Sequence, residues 1–197
     1  MNRGPREESA DSIVLVVDDD LIVRDQITTV LHTIGLQSIG YTSASEFLRS
    51  NLPKQASCLI SDIRMPGLSG FELHDELIKQ RINIPVIFVS GYADIPMSVK
   101  AMKAGAIEFL AKRDEDLLDA VRAALDRDRK RREYDEKIDD LRRRYDVLTQ
   151  REQQVMSCVV AGLMNKQVAQ EVGLAEVTIK VHRHTLMKRM GASPLPT

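Results

Sequence analysis

Three consecutive aspartates, Asp18, Asp19 and Asp20, close the apolar run Ile13–Val17, and Asp62 closes the run Cys58–Ser61. Adjacent carboxylates repel, and a buried one without a partner is costly, so a positive charge is expected among them. Their oxygens suit a hard divalent cation, and Mg²⁺ is the default where phosphate chemistry is near. Ser90 ends the run "VIFVS", and Lys112 follows "EFLA". A hydroxyl and an ammonium at the same place can contact an anion held on that metal. One aspartate is then set to act as a nucleophile that forms an aspartyl phosphate. The metal neutralises charge on the transferring phosphoryl group. Each residue alone has a plainer reading. An Asp after a strand is often a turn or cap, and Asp20 reads as the cap of a helix starting near Leu21.

For these side chains to meet, their strands must end at one edge of a sheet. The pattern supplies that. Short β-branched runs at Ile13–Val17, Cys58–Ser61 and Pro85–Ser90 read as buried parallel strands. Ser38–Tyr41 and Ala106–Leu110 read as two more strands. Between them, helical spacing marks Leu21–Ile34, a short helix around Ala44–Leu48, then Gly70–Arg81 and Ile95–Ala104. This alternation predicts a doubly wound five-stranded parallel α/β sheet with its site at the carboxyl ends of the strands.

The charge is divided unevenly along the 197 residues. Residues 1–118 carry 12 basic and 17 acidic side chains, residues 119–148 carry 10 and 9, and residues 149–197 carry 6 and 3. An acidic first part and a basic last part suggest two jobs, and the basic end hints at nucleic acid. Cys58 and Cys158 read as small core residues, not a disulfide framework. Residues 1–12 lack a signal-peptide core and read as a flexible N-terminus, and no apolar run is long enough to span a membrane, so a cytoplasmic protein is expected.

Of the 19 residues from Asp126 to Arg144, 16 are charged. Opposite charges fall four apart at Asp128/Arg132, Arg129/Glu133, Glu133/Lys137 and Asp140/Arg144, as on a solvated helix. Ile138, Leu141, Tyr145 and Leu148 form an apolar stripe, either a short coiled-coil seam or a face packed on the next domain. From Leu148 to Gly191 the chain reads as three helices, the first opened by a Thr149/Glu152 capping box. Helix, tight turn, helix is the layout of a helix-turn-helix DNA binder.

Residues 12–125, through "VVDDD", "LISDIRMPGLSG" and "VIFVSGYADIPMSVKAMKAGAIEFLAK", resemble the receiver domain of two-component response regulators. The resemblance implies a flavodoxin-like fold with Asp62 as phosphoacceptor. It implies Mg²⁺ held by Asp18, Asp19, Asp62 and the carbonyl of Arg64. Ser90 and Phe109 become switch residues, and Lys112 contacts the phosphoryl group. The segment from Leu148 to Ala192 is similar to LuxR-type helix-turn-helix domains, and the whole chain to the FixJ/NarL class. That implies a phosphorylation-controlled transcriptional regulator, not a metabolic enzyme, although the receiver catalyses its own phosphoryl transfer and dephosphorylation. Its partners are a histidine kinase and promoter DNA, with a possible homodimer through the linker helix or the receiver face, and no membrane. Lys180, Val181 and His184 fall where the family's recognition helix enters the major groove, and Arg183 and Lys188 lie on or near that helix, where they could hold phosphates. Lysine or arginine can reach guanine or the backbone, and valine can pack on a thymine methyl. His182 reads as packing inside the small domain. The expected division is a receiver at 13–125, a helical linker at 126–147 and a DNA-binding domain at 148–197.

Two departures from the family pattern stand out. The family usually has Lys-Pro where this chain has Lys112-Arg113, as if the loop were two residues shorter. A shorter loop would hold Lys112 less well, shift the start of the next helix and favour exchange of that helix between chains. The end, "GASPLPT", has two prolines where the family places a further dimerising helix. Dimerisation would then fall to the linker stripe or the receiver face. The competing readings are a regulator that acts through protein contacts without DNA, and a phosphohydrolase with an Asp nucleophile. Arg64 stands where such a hydrolase typically places a second acid.

Overall fold

The computed structural model describes residues 12–92, 94–112 and 115–192. The expectations about the N-terminus before Ser12, the Arg113 loop and the "SPLPT" end lie outside these residues. The chain divides into two compact units between Arg132 and Glu133.

The first unit holds five strands and the helices between them. These are β1 (Ser12–Val17), α1 (Leu21–Thr33), β2 (Gln37–Tyr41), α2 (Ala44–Arg49), β3 (Ala56–Asp62), α3 (Gly70–Lys79), β4 (Val86–Ser90), α4 (Ile95–Ala104) and β5 (Glu108–Ala111). All pairings are parallel, in the order β2-β1-β3-β4-β5. Sequence order and sheet order differ, so the crossovers place helices on both faces. Two apolar clusters result, one built on Leu15, Phe47, Leu59, Leu73 and Phe88, the other on Val16, Leu31, Ile60, Ile87 and Val121. β1 and β4 are buried along their whole length, which explains their unbroken apolar sequence.

Strand and helix boundaries of the first unit shift by one or two residues from the sequence reading, and the shift of the fifth strand has a visible cause. The fifth strand is Glu108–Ala111, not Ala106–Leu110. Gly105 takes a left-handed conformation at the end of α4, and Ala106 N–H bonds back to Ala101, so Ala106 belongs to the helix cap.

Helix α5 runs from Leu117 to Asp146 and so contributes to both units. The charged run is a solvated face except at Asp128, which is fully buried. Its carboxylate accepts the backbone N–H of Ser57 at 2.9 Å, a Arg131 nitrogen at 2.6 Å and Arg132 Nε at 2.6 Å. Arg132 also donates to the Lys54 carbonyl at 3.0 Å. The surface pair Asp140–Arg144 forms at 2.7 Å.

The second unit contains α6 (Gln150–Val160), α7 (Asn165–Val172) and α8 (Glu176–Met190) around Val155, Cys158, Val168 and Ile179. The capping box at Thr149 and Glu152 is present. Glu152 is buried and also pairs with Arg189 at 2.8 Å, tying the start of α6 to the end of α8. The Thr149 backbone N–H it accepts, ahead of the Arg189 charge, holds its carboxyl below the usual range. Gly173, at φ 65°, makes the left-handed turn between α7 and α8. Leu148 is buried, whereas Leu141 and Tyr145 are 45% and 40% exposed. The apolar stripe is therefore split between core and surface.

Candidate functional site

The carboxyl ends of β1, β3 and β5 bring together Asp18, Asp19, Asp62 and Lys112. Oxygens of the three aspartates lie within 4.8 Å of one another. Asp18 is fully buried, Asp62 is nearly so, and Asp19 is exposed. Lys112 Nζ stands 2.8 Å from Asp18 Oδ2 and 2.8 Å from Asp62 Oδ2. It donates a hydrogen bond to Asp62 and pairs with the buried Oδ2 of Asp18. Burial raises the Asp18 carboxyl above its ordinary value, and the hydrogen bonds from Lys112 and the Asp20 N–H, with the Lys112 charge, offset only part of that. Burial pulls Lys112 down, but its two carboxylates outweigh it and the ammonium is held more firmly than usual.

One ammonium is thus set against three clustered carboxylates and pairs with two of them. The donor set is oxygen only, clustered and partly open to solvent. That arrangement fits a hard divalent cation.

Neighbours fix the acids in place. Asp18 Oδ1 accepts the Asp20 N–H at 2.9 Å, and Arg24 donates to the Asp18 carbonyl at 2.6 Å. Asp20 caps α1, accepting from Ile22 N and Val23 N at 2.9 and 3.4 Å, so it is drawn away from the cluster. Asp62 Oδ1 accepts the Arg64 N–H at 3.3 Å. Gly70 opens α3 directly behind Asp62. A Cβ there would stand 2.3 Å from the Asp62 carbonyl oxygen, so only glycine lets α3 approach. Neither Arg24 nor Gly70 was legible as part of this site, because their roles depend on contacts the sequence does not display.

Ser90 lies at the end of β4 and is buried, yet its hydroxyl bonds to the Tyr92 backbone rather than to an acid. It donates to Tyr92 O and accepts from Tyr92 N, both at 3.2 Å. Phe109 is half-buried against the first apolar cluster. The Arg64 side chain is exposed and lies over the Tyr92 ring, 5.5 Å from its centroid.

In the second unit, Lys180, Val181, His184 and Lys188 are exposed on α8, and their spacing puts them on one face. Arg183 is not on that face. It is half-buried and donates to the Leu163 carbonyl at 3.3 Å, bracing α8 against the turn after α6. His182 is half-buried too. Val177, which the sequence reading passed over, is 69% exposed on the same face as Val181.

Comparisons with known proteins agree with this architecture. Residues 14–122 match the response regulator receiver domain, and residues 146–196 match the bacterial regulatory proteins of the luxR family. The chain is 49% identical to nodulation protein W of Bradyrhizobium diazoefficiens, over 98% of this chain and 86% of that one. It is 43% identical to response regulator protein TmoT of Ectopseudomonas mendocina, over 93% and 84%. It is 39% identical to transcriptional regulatory protein FixJ of Azorhizobium caulinodans, over 93% and 88%. The response regulator StyR superposes with a TM-score of 0.82 at 45% identity, covering 94% of each chain. Full-length FixJ from B. japonicum gives 0.56 at 34% identity, covering 92% and 91%.

Proposed function

The chain belongs to the two-component response regulators with a LuxR-type output domain, phosphorylation-controlled regulators of transcription, and on that premise we propose that Asp62 is the phosphoacceptor. The carrying observation is the shared Lys112 contact: one ammonium, 2.8 Å from each of two buried carboxylates at the strand ends. Asp18, Asp19 and Asp62, with the Arg64 carbonyl, would hold Mg²⁺. When bound, the ion neutralises charge on the transferring phosphoryl oxygens.

A carboxylate oxygen of Asp62 attacks phosphorus of a phosphohistidine on the partner kinase. The P–N bond breaks, and the leaving imidazole keeps the electron pair and takes up a proton. Lys112 moves from sharing two carboxylates to contacting the new phosphoryl oxygens. Ser90 exchanges its Tyr92 backbone bonds for a phosphoryl oxygen, and half-buried Phe109 follows. Those two movements rebias the receiver surface as a two-state switch. Attack of water on phosphorus later releases phosphate and restores Asp62.

An open groove of about 820 Å³ beside Lys112, lined by Ile22, Ile27, Val30, Leu117 and Leu118, supports docking of the phosphoryl donor there. The α8 face with Lys180, Val181, His184 and Lys188 is assigned to the major groove, and Arg183 to bracing the domain. A homodimer through the α5 stripe is supported by exposed Tyr134, Leu141 and Tyr145 at near-heptad spacing. Light scattering on the phosphorylated protein tests it: a dimer that Leu141→Lys dissolves is expected, and a monomer at every concentration would exclude it. For DNA output, a gel shift with the phosphorylated protein on family-like palindromic duplexes is the test. Lys180→Ala should weaken binding, and no shift on any duplex would favour a regulator acting through protein contacts.

A further inference from the structure

Helix α8 is apolar on two sides. Ile179 and Leu186 face the domain core and are fully buried. Val177 and Val181 face the opposite way and are 69% and 63% exposed. Nothing in the fold accounts for the outer pair. β-Branched residues are poor helix formers, and exposed ones gain no packing. The two valines lie four residues apart, so they stack one turn above the other on the face that carries Lys180, His184 and Lys188. Polar side chains at these positions would be better for an isolated surface. The pattern of two methyl-bearing side chains framed by basic ones matches a partner with apolar spots set in a polyanionic surface. A DNA major groove rich in thymine methyls is such a partner.

We infer that Val177 is a specificity residue, reading a thymine methyl next to the one read by Val181. This rests on the assignment of the α8 face to the major groove. Four residues of helix rise about 6 Å, and base steps on one strand rise about 3.4 Å. The two valines therefore span one to two base steps, and the half-site carries thymines at two nearby positions. Val177 sits in the first turn of α8, at the end that reaches base edges in helix-turn-helix docking. Glu176 pairs with Lys180 at 3.8 Å, which draws that ammonium towards the same first turn.

The experiment uses the full chain, phosphorylated with acetyl phosphate and Mg²⁺. Duplexes are selected from a random library, and each thymine of the selected half-site is then replaced by uracil, which lacks only the methyl group. For the wild type, uracil at two nearby positions is expected to weaken binding about three- to fivefold each, the scale of one buried methyl group. Val177→Ala should lose that sensitivity at one position only, Val181→Ala at the other, and Val177→Ile should keep both. Val177 is exposed, so the alanine variant should melt with the wild type. Equal binding of thymine and uracil duplexes, or undiminished sensitivity in Val177→Ala, overturns the inference and leaves DNA binding intact. Failure to enrich any sequence overturns the DNA assignment itself. Loss of a self-association in Val177→Ala, with unchanged duplex binding, would make the face a protein contact and overturn the inference too.

Discussion

Lys112 and Asp62 are 50 residues apart in the chain and 2.8 Å apart in the fold. The same ammonium also reaches Asp18 at 2.8 Å, so it occupies oxygens that a divalent cation needs. Lys112 and Mg²⁺ therefore compete. Lys112→Met is expected to tighten Mg²⁺ binding several-fold, read by calorimetry or by the metal-induced rise in melting temperature. Unchanged or weaker binding would mean that the lysine does not restrain the carboxylates.

Asp18 bears a standing cost. Its folded pKa lies above its ordinary 3.8, so the native state binds that proton more tightly than the unfolded chain does. The penalty grows as pH rises from 3.8 through the folded value and is complete at neutral pH. Without metal, Asp18→Asn should therefore raise the melting temperature, by about 2–4 °C if the relief is near 1 kcal/mol. The variant should also lose the stabilisation that Mg²⁺ gives the wild type. A lower melting temperature without metal would show that the Lys112 pairing outweighs the burial.

His74 is buried on α3 with its ring edge-on to Phe88, and its Nδ1 has no hydrogen-bond partner. Burial lowers its pKa below 6.5, only partly opposed by Asp75. The unfolded chain takes up this proton first as pH falls, so stability declines from about pH 6.5 downward, by at most about 1.4 kcal/mol per pH unit. Urea denaturation at a series of pH values should show this slope, and His74→Leu should flatten it. An identical slope in the variant would assign the effect to other groups.

Asp128 holds Ser57 N–H, Arg131 and Arg132 from a fully buried position. Asp128→Ala removes the acceptor of the Ser57 N–H and the shared carboxylate partner of Arg131 and Arg132. Because those guanidiniums remain 33% and 31% exposed, water recovers part of the loss. A destabilisation of about 3 kcal/mol is expected, the lower end for a broken buried pair. Asp128→Asn should fall between the two. A urea midpoint unchanged by Asp128→Ala would show that the clamp contributes nothing.

The strands and helices of the first unit were legible because apolar runs, caps and glycine stops agree with one another. Asp20 caps α1 as its position suggested, and the four residues Asp18, Asp19, Asp62 and Lys112 meet because parallel strands end at one edge. Asp128 was hidden in a run of charges, where a buried carboxylate looks like its solvated neighbours. Its partner Ser57 is 71 residues away. Gly70 and Arg24 escaped notice because their roles lie in how close another backbone comes. Arg183 lies on α8 as expected, but spacing alone does not reveal its hydrogen bond to the Leu163 carbonyl. Ser90 lies where expected, but its hydroxyl partner is a backbone two residues on, which no motif records.

The most direct test of phosphorylation at Asp62 is intact mass after incubation with acetyl phosphate, with and without Mg²⁺, for the wild type and Asp62→Asn. A single phosphoryl adduct is expected on the wild type, formed only with Mg²⁺ and absent from the variant. An adduct that persists in Asp62→Asn, or a folded wild type that gains none from acetyl phosphate or from any candidate kinase, would contradict phosphorylation at Asp62.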